Sequence, residues 1–151
     1  MKPILTLKEA RKKEVLCCSF PNGDYRYKLK GEKYYHLIRN GKNLLEGLKA
    51  VDCYSCLNGD YWYKLKGEEY FHLIRNGKNL LEGLKAVDCC SFPNGDVEYQ
   101  LEGEEYYHLI RDGKNLLKGL KAVWCFSYSN GDVEYEDEQG KWHTIKNTVI
   151  K

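Results

Sequence analysis

The amino-acid sequence predicts an all-β protein: four tandem antiparallel β-meander repeats behind a short N-terminal helical cap. Three observations carry this prediction. The chain repeats itself: residues 17–52 and 53–88 are identical at 30 of 36 positions and 53–88 and 89–124 at 25 of 36, with a shortened fourth copy from Cys125 onward. Each full copy is punctuated by turn residues, which in the first are Asn22-Gly23, Gly31, Asn40-Gly41 and Gly47. Between the turns run short segments with period-two alternation, the mark of half-buried strands, and the 13 Tyr, 3 Trp and 4 Phe suit them.

Along the chain, Thr6-Leu7-Lys8-Glu9 reads as a capping box, which predicts a short helix over 7–14 and a first strand starting near Val15. Both Asn-Gly pairs offer two residues that tolerate positive φ, so each is expected to form a type I′ hairpin turn. After the first turn, Tyr25, Tyr27 and Leu29 share one face, and Arg26, Lys28 and Lys30 the other. The next segment, 33–39, sets Tyr35 and Leu37 against Tyr34, His36 and Ile38. Leu44 and Leu45 make a short apolar piece, and a last strand runs from Leu48 to Cys56, into the following copy. No copy can bury its apolar face alone, so neighbours must stack. They would form an open β-repeat sheet or solenoid, or a four-bladed propeller-like ring. The expected organisation is one repeat domain over 1–151, with a cap at 1–16, full repeats at 17–52, 53–88 and 89–124, and a truncated repeat at 125–151.

Tyr35-His36-Leu37-Ile38-Arg39-Asn40-Gly41-Lys42, followed by Gly47-Leu48-Lys49-Ala50-Val51, resembles the bacterial WG-type repeat. The match is degenerate: Tyr-His, Phe-His or Trp-His stands where that family has Trp-Gly. The resemblance implies a β-rich repeat protein and supplies no catalytic residues.

Several function classes are disfavoured. No run of apolar residues is long enough for a membrane-spanning helix, and the N-terminus lacks a secretory pattern, so a cytoplasmic protein is expected. The seven cysteines, with adjacent pairs at Cys17-Cys18 and Cys89-Cys90, read as reduced packing thiols, and Cys53–Cys56 is an isolated CxxC. His36, His72, His108 and His143 recur at one repeat position; a shared metal would require them to converge, whereas repeated packing does not. Asp24, Asp60, Asp96 and Asp132 follow turns, where aspartate serves local hydrogen bonds. Catalysis needs one asymmetric constellation, and copied residues argue against it. No enzyme, cofactor or metal is expected.

The copies differ in one place above all. The strand after the first turn keeps its apolar face through three copies, while the other face reads Arg26, Lys28, Lys30, then Trp62, Lys64, Lys66, then Glu98, Gln100, Glu102, then Glu134, Glu136, Glu138. Net charge per segment follows, from +3 over 1–16 and 17–52, through 0 over 53–88, to −2 over both 89–124 and 125–151. The expected function is therefore protein binding through opposed faces. One is acidic (Glu98, Glu102, Glu134, Glu136, Glu138), and the other basic and aromatic (Arg26, Lys28, Lys30, Trp62, Lys64, Lys66). The expected form is an inhibitor of a bacterial toxin or nuclease-type effector, of immunity or anti-defence (anti-CRISPR) type, encoded by a bacterium or phage. Two alternatives are single-stranded nucleic-acid binding by the basic and aromatic face, and glycan binding by repeated Tyr, Trp, Asn and Asp. Oligomeric state does not follow from the sequence.

Overall fold

The computed structural model describes residues 3–13 and 16–147, and the predicted fold class holds: fifteen strands and one short helix. The helix, α1 (Leu7–Lys12), opens on the predicted capping box. Thr6 Oγ1 accepts from Glu9 N at 3.1 Å, and Glu9 Oε1 accepts from Thr6 N at 3.0 Å. The helix stops at Lys12, short of the predicted end at 14. That predicted end and the predicted strand start at Val15 lie outside the described residues.

The strands form four separate sheets, each a sequential antiparallel meander. The chain divides into two compact units, Met1–Glu82 and Gly83–Lys151. The first holds α1 and two sheets. One comprises β1 (Leu16–Ser19), β2 (Tyr25–Lys28), β3 (His36–Arg39) and β4 (Lys42–Asn43); the other comprises β5 (Ala50–Ser55), β6 (Tyr61–Leu65), β7 (His72–Arg75) and β8 (Lys78–Asn79). The second unit holds a sheet of β9 (Ala86–Ser91), β10 (Val97–Leu101), β11 (His108–Arg111) and β12 (Lys114–Asn115). Its last sheet has three strands, β13 (Trp124–Ser127), β14 (Val133–Glu136) and β15 (Trp142–Ile145). The structural repeat is out of phase with the sequence repeat: β5 and β9 straddle the boundaries at Cys53 and Cys89.

The two Asn-Gly pairs behave differently. Asn40 (φ +50°) and Gly41 (φ +74°) join Arg39 to Lys42 as the predicted two-residue turn, and Asp112 (φ +50°) takes the same role in the third copy. The Asn22-Gly23 expectation is corrected, because only Gly23 has positive φ (+93°). This connection is a longer loop, closed by Phe20 N donating to Asp24 O (2.8 Å) and Gly23 N to Phe20 O (3.0 Å).

Adjacent residues Leu37 and Ile38 are both buried, so both faces of the first sheet are covered. Ile38 packs with Tyr27 and Ala10 of α1. Leu37 packs with Phe20, Leu45, Ala50 and Cys53, which brings the second sheet onto the opposite face. The second unit repeats this stack: Leu109 and Leu117 meet Cys125 and Val133 of the last sheet, with Tyr135 and Ile145 at the margin.

Candidate functional site

Within each unit a polar clamp ties one sheet to the next. Asp24 is buried and receives a two-pronged contact from Arg39, with Nε at 3.0 Å and Nη2 at 2.7 Å from Oδ2. The same oxygen accepts from Ser55 Oγ of the second sheet at 2.6 Å. Asn22 Nδ2 donates to Ser55 Oγ (2.7 Å) and the Cys56 carbonyl (3.0 Å), and Arg39 Nη2 donates to the Gly59 carbonyl (2.8 Å). In the second unit Asp96, Arg111, Asn94 and Ser127 form the same clamp, with Arg111 Nη2 to Asp96 Oδ2 and Ser127 Oγ to Asp96 Oδ2 both at 2.6 Å. Burial raises the Asp96 pKa, but the Arg111, Ser127 and Asn94 bonds outweigh it, so the carboxyl sits below its ordinary range.

The repeated histidines belong to local sets. Asn43 Oδ1 accepts from the backbone of Leu37 and Leu45 (3.1 and 3.0 Å), which points its amide nitrogen at His36 Nδ1 (3.1 Å). Nδ1 is therefore the acceptor, and Nε2–H donates to Glu32 (3.0 Å) while the ring stacks on Tyr27 at 4.8 Å. His72 and His108 have the same neighbours in Glu68 and Asn79, and in Glu104 and Asn115; His143 meets Asp137. Among the described residues no group of three or more His, Cys, Asp or Glu is placed to hold a metal ion. All seven cysteines are free thiols, and burial pushes the Cys53 thiol up to about 12. A groove of about 670 Å³ lies beside the first set, walled by Ile4, Leu29, Tyr34, Tyr35 and Leu48. Three of its polar lining residues, Glu32, His36 and Asn43, are already engaged, with Glu32 and Asn43 both bonded to His36.

The variable strand position does not form one open row. Arg26 lies at the sheet–sheet junction, where Nη1 donates to Asp52 (3.2 Å) and to the Cys53 carbonyl, and its guanidinium lies 5.2 Å from the Tyr35 ring centre. Its equivalent in the third copy, Glu98, is 5 % exposed and accepts from Cys125 Sγ at 2.9 Å. The expectation that Glu98 belongs to an exposed acidic face is thus corrected: the following sheet covers it. Burial pushes its carboxyl up to about 7, with the Asp88 charge adding to the shift. Lys28 and Lys64 hold their ammonium groups 5.0 and 5.2 Å from the Tyr35 and Phe71 ring centres. Trp62 is half-buried against Tyr54 (stacked, 6.0 Å) and Phe71 (edge-on, 4.9 Å). Lys30, Lys66 and Glu102 are exposed beyond the strands. The basic residues are therefore partly internal, and the basic strip expected from sequence is broken at Arg26.

The outer face of the last sheet is different. Strand pairing places Trp124 beside Glu136 beside Trp142 in one row, and Phe126 beside Glu134 beside Thr144 in the next. The opposite face, with Cys125, Val133 and Tyr135, is the buried one. Trp124, Phe126 and Trp142 are 45 %, 42 % and 49 % exposed, and Tyr128 flanks them at 40 %. Phe126 packs against Phe92 and Tyr128 (5.3 and 4.8 Å), and Trp124 lies edge-on to Tyr107, so the aromatics are braced from the side and open above. The Glu134 carboxylate raises the pKa of the Tyr128 hydroxyl. Glu138 likewise raises the pKa of the Tyr106 hydroxyl, and it lies 3.4 Å from Lys121 Nζ. Among the described residues no lysine or arginine pairs with Glu134 or Glu136. Three of the five acidic residues expected from sequence thus stand on or beside this face, together with four aromatics that sequence reasoning missed. The signal was present: Trp124 and Phe126 replace Asp52 and Tyr54, or Asp88 and Cys90, of the earlier copies.

No protein-family model, no curated protein and no solved structure matches this chain.

Proposed function

We propose that this chain is a non-catalytic protein-binding repeat module whose binding face is the outer face of the last sheet. One observation carries the reading: Trp124, Phe126, Tyr128 and Trp142 are exposed together around Glu134 and Glu136. An exposed sheet face that carries tryptophans marks a surface that a partner covers. The resemblance to WG-type repeats is compatible with a scaffold of this kind and adds no chemistry. Within the binding class, the form we favour is an inhibitor that occupies a basic surface of a nuclease- or toxin-type effector, where a carboxylate row can take the place of phosphates.

The test is capture from host lysate on the immobilised chain, with the variants Trp142→Ala and Glu134→Lys/Glu136→Lys in parallel. One protein retained by the parent chain, lost from both variants and inhibited when the chain is added back supports the reading. Equal retention by parent and folded variants sinks it.

A further inference from the structure

We infer that the Trp124–Glu136–Trp142 row is a receptor for an arginine side chain of the partner protein. This rests on the proposed binding face and names what that face recognises.

The argument comes from comparing the copies at one position. In the first copy the Lys28 ammonium lies 5.0 Å from the Tyr35 ring centre, and in the second the Lys64 ammonium lies 5.2 Å from that of Phe71. Each ring attracts the cation through the negative face of its π-system. Lys28, Lys64, Gln100 and Glu136 occupy equivalent repeat positions, as do Tyr35, Phe71, Tyr107 and Trp142. In the third copy the cation is replaced by Gln100, and the Tyr107 hydroxyl donates to Asp88 instead (2.9 Å). In the last copy the ring becomes Trp142, the best of the aromatic rings for a cation, and the lysine becomes a glutamate that is its direct cross-strand neighbour. The surface that elsewhere held an internal cation now combines a ring and a carboxylate, and among the described residues no cation lies over Trp142.

The second indole fixes which cation. Trp124 is the neighbour of Glu136 on the other side, so the two tryptophans stand two strands apart, about 10 Å between Cα atoms, with the carboxylate between them. A planar, weakly hydrated guanidinium can stack flat between two rings while its edge donates to a carboxylate below, whereas a compact, strongly hydrated ammonium has no flat face to lay on either ring. The chain already uses the same chemistry internally at Arg26, whose guanidinium lies near the Tyr35 and Phe20 rings (5.2 and 6.0 Å) and donates to Asp52.

The probe is a hexa-arginine peptide titrated into the full chain, with hexalysine and hexaglutamate as comparisons. The tryptophan indole N–H signals are followed by NMR. Expected are shifts of the Trp124 and Trp142 signals with Trp62 unmoved, hexa-arginine at least about tenfold tighter than hexalysine, and no binding of hexaglutamate. Glu136→Gln and Trp142→Ala should each weaken hexa-arginine about tenfold or more, Trp142→Phe should retain most of the affinity, and Glu82→Gln, an exposed carboxylate of the first unit, should leave it unchanged. Equal affinity for the two cationic peptides, or affinity indifferent to Glu136→Gln and Trp142→Ala, overturns the inference. So does sedimentation that shows the face closed by a second copy of the chain. If hexa-arginine fails while Trp142→Ala still abolishes capture of the host protein, the arginine receptor falls and the binding face stands. If both fail, both fall.

Discussion

Glu98 is a carboxylic acid placed where its first-copy equivalent, Arg26, makes a junction contact, and its burial has a consequence for stability. Its ordinary value of 4.5 is pushed up to about 7, first by burial and then by Asp88, against the Cys125 bond that lowers it. Below about 4.5 both folded and unfolded states hold the proton, and the site costs nothing. Between 4.5 and 7 the folded state alone retains the proton, so stability falls as pH rises; above 7 the whole penalty is present, about 3 kcal/mol. Glu98→Gln should therefore match the parent near pH 4.5 and be about 2–3 kcal/mol more stable at pH 8, read by urea unfolding at both values. A stability difference independent of pH would show that Glu98 does not titrate across that window. The sequence displayed Arg26, Trp62, Glu98 and Glu134 as one variable face. It could not show that the next sheet covers two of them, because period-two alternation separates the faces of a strand without saying what lies over either.

At the scale of strands and turns, the repeated residues hold one sheet to the next. The Asp24–Arg39–Ser55 clamp is mostly enclosed, so removing one member leaves a charge without its partner. Arg39→Ala should cost about 3 kcal/mol, and Ser55→Ala, which removes a single bond to a charged acceptor, about 1–2 kcal/mol. The equivalent changes Arg111→Ala and Ser127→Ala should behave alike. In the last copy Asp132 is held instead by Lys146 Nζ (3.3 Å) and Asn147 N (2.9 Å) at the surface, and Asp132→Ala should change stability far less. Chemical denaturation of the five variants checks the order; an Asp132→Ala as damaging as Arg39→Ala would refute it. The meander, the capping box and the Asn40-Gly41 turn were legible because each depends on local chemistry. The Asn22-Gly23 loop departs from the two-residue turn because its Asn turns its side chain to Asp24 N (2.9 Å) and to Ser55, a residue 33 positions away. A dipeptide cannot report such a partner.

For the molecule as a whole, the division into two units coincides with a reversal of charge. Met1–Glu82 carries 16 Lys and Arg against 10 Asp and Glu, and Gly83–Lys151 carries 8 against 12. The candidate face lies on the acidic unit, while the basic unit holds Arg26, Lys28 and Lys64 in internal contacts. A protein partner with a basic surface and a nucleic acid therefore make opposite demands. The quadruple change Lys28→Gln, Lys30→Gln, Lys64→Gln, Lys66→Gln should leave partner affinity within about twofold, whereas Glu134→Lys/Glu136→Lys should lower the association rate steeply, since field-steered encounter depends on the sign of the approached surface. For the parent chain that rate should fall about tenfold between about 50 and 500 mM salt, as screening shortens the reach of the carboxylates. Surface plasmon resonance with the captured partner reads both. If the lysine changes abolish binding and the glutamate reversal strengthens it, the partner presents an anionic surface, and the basic unit replaces the last sheet as the binding face of this chain.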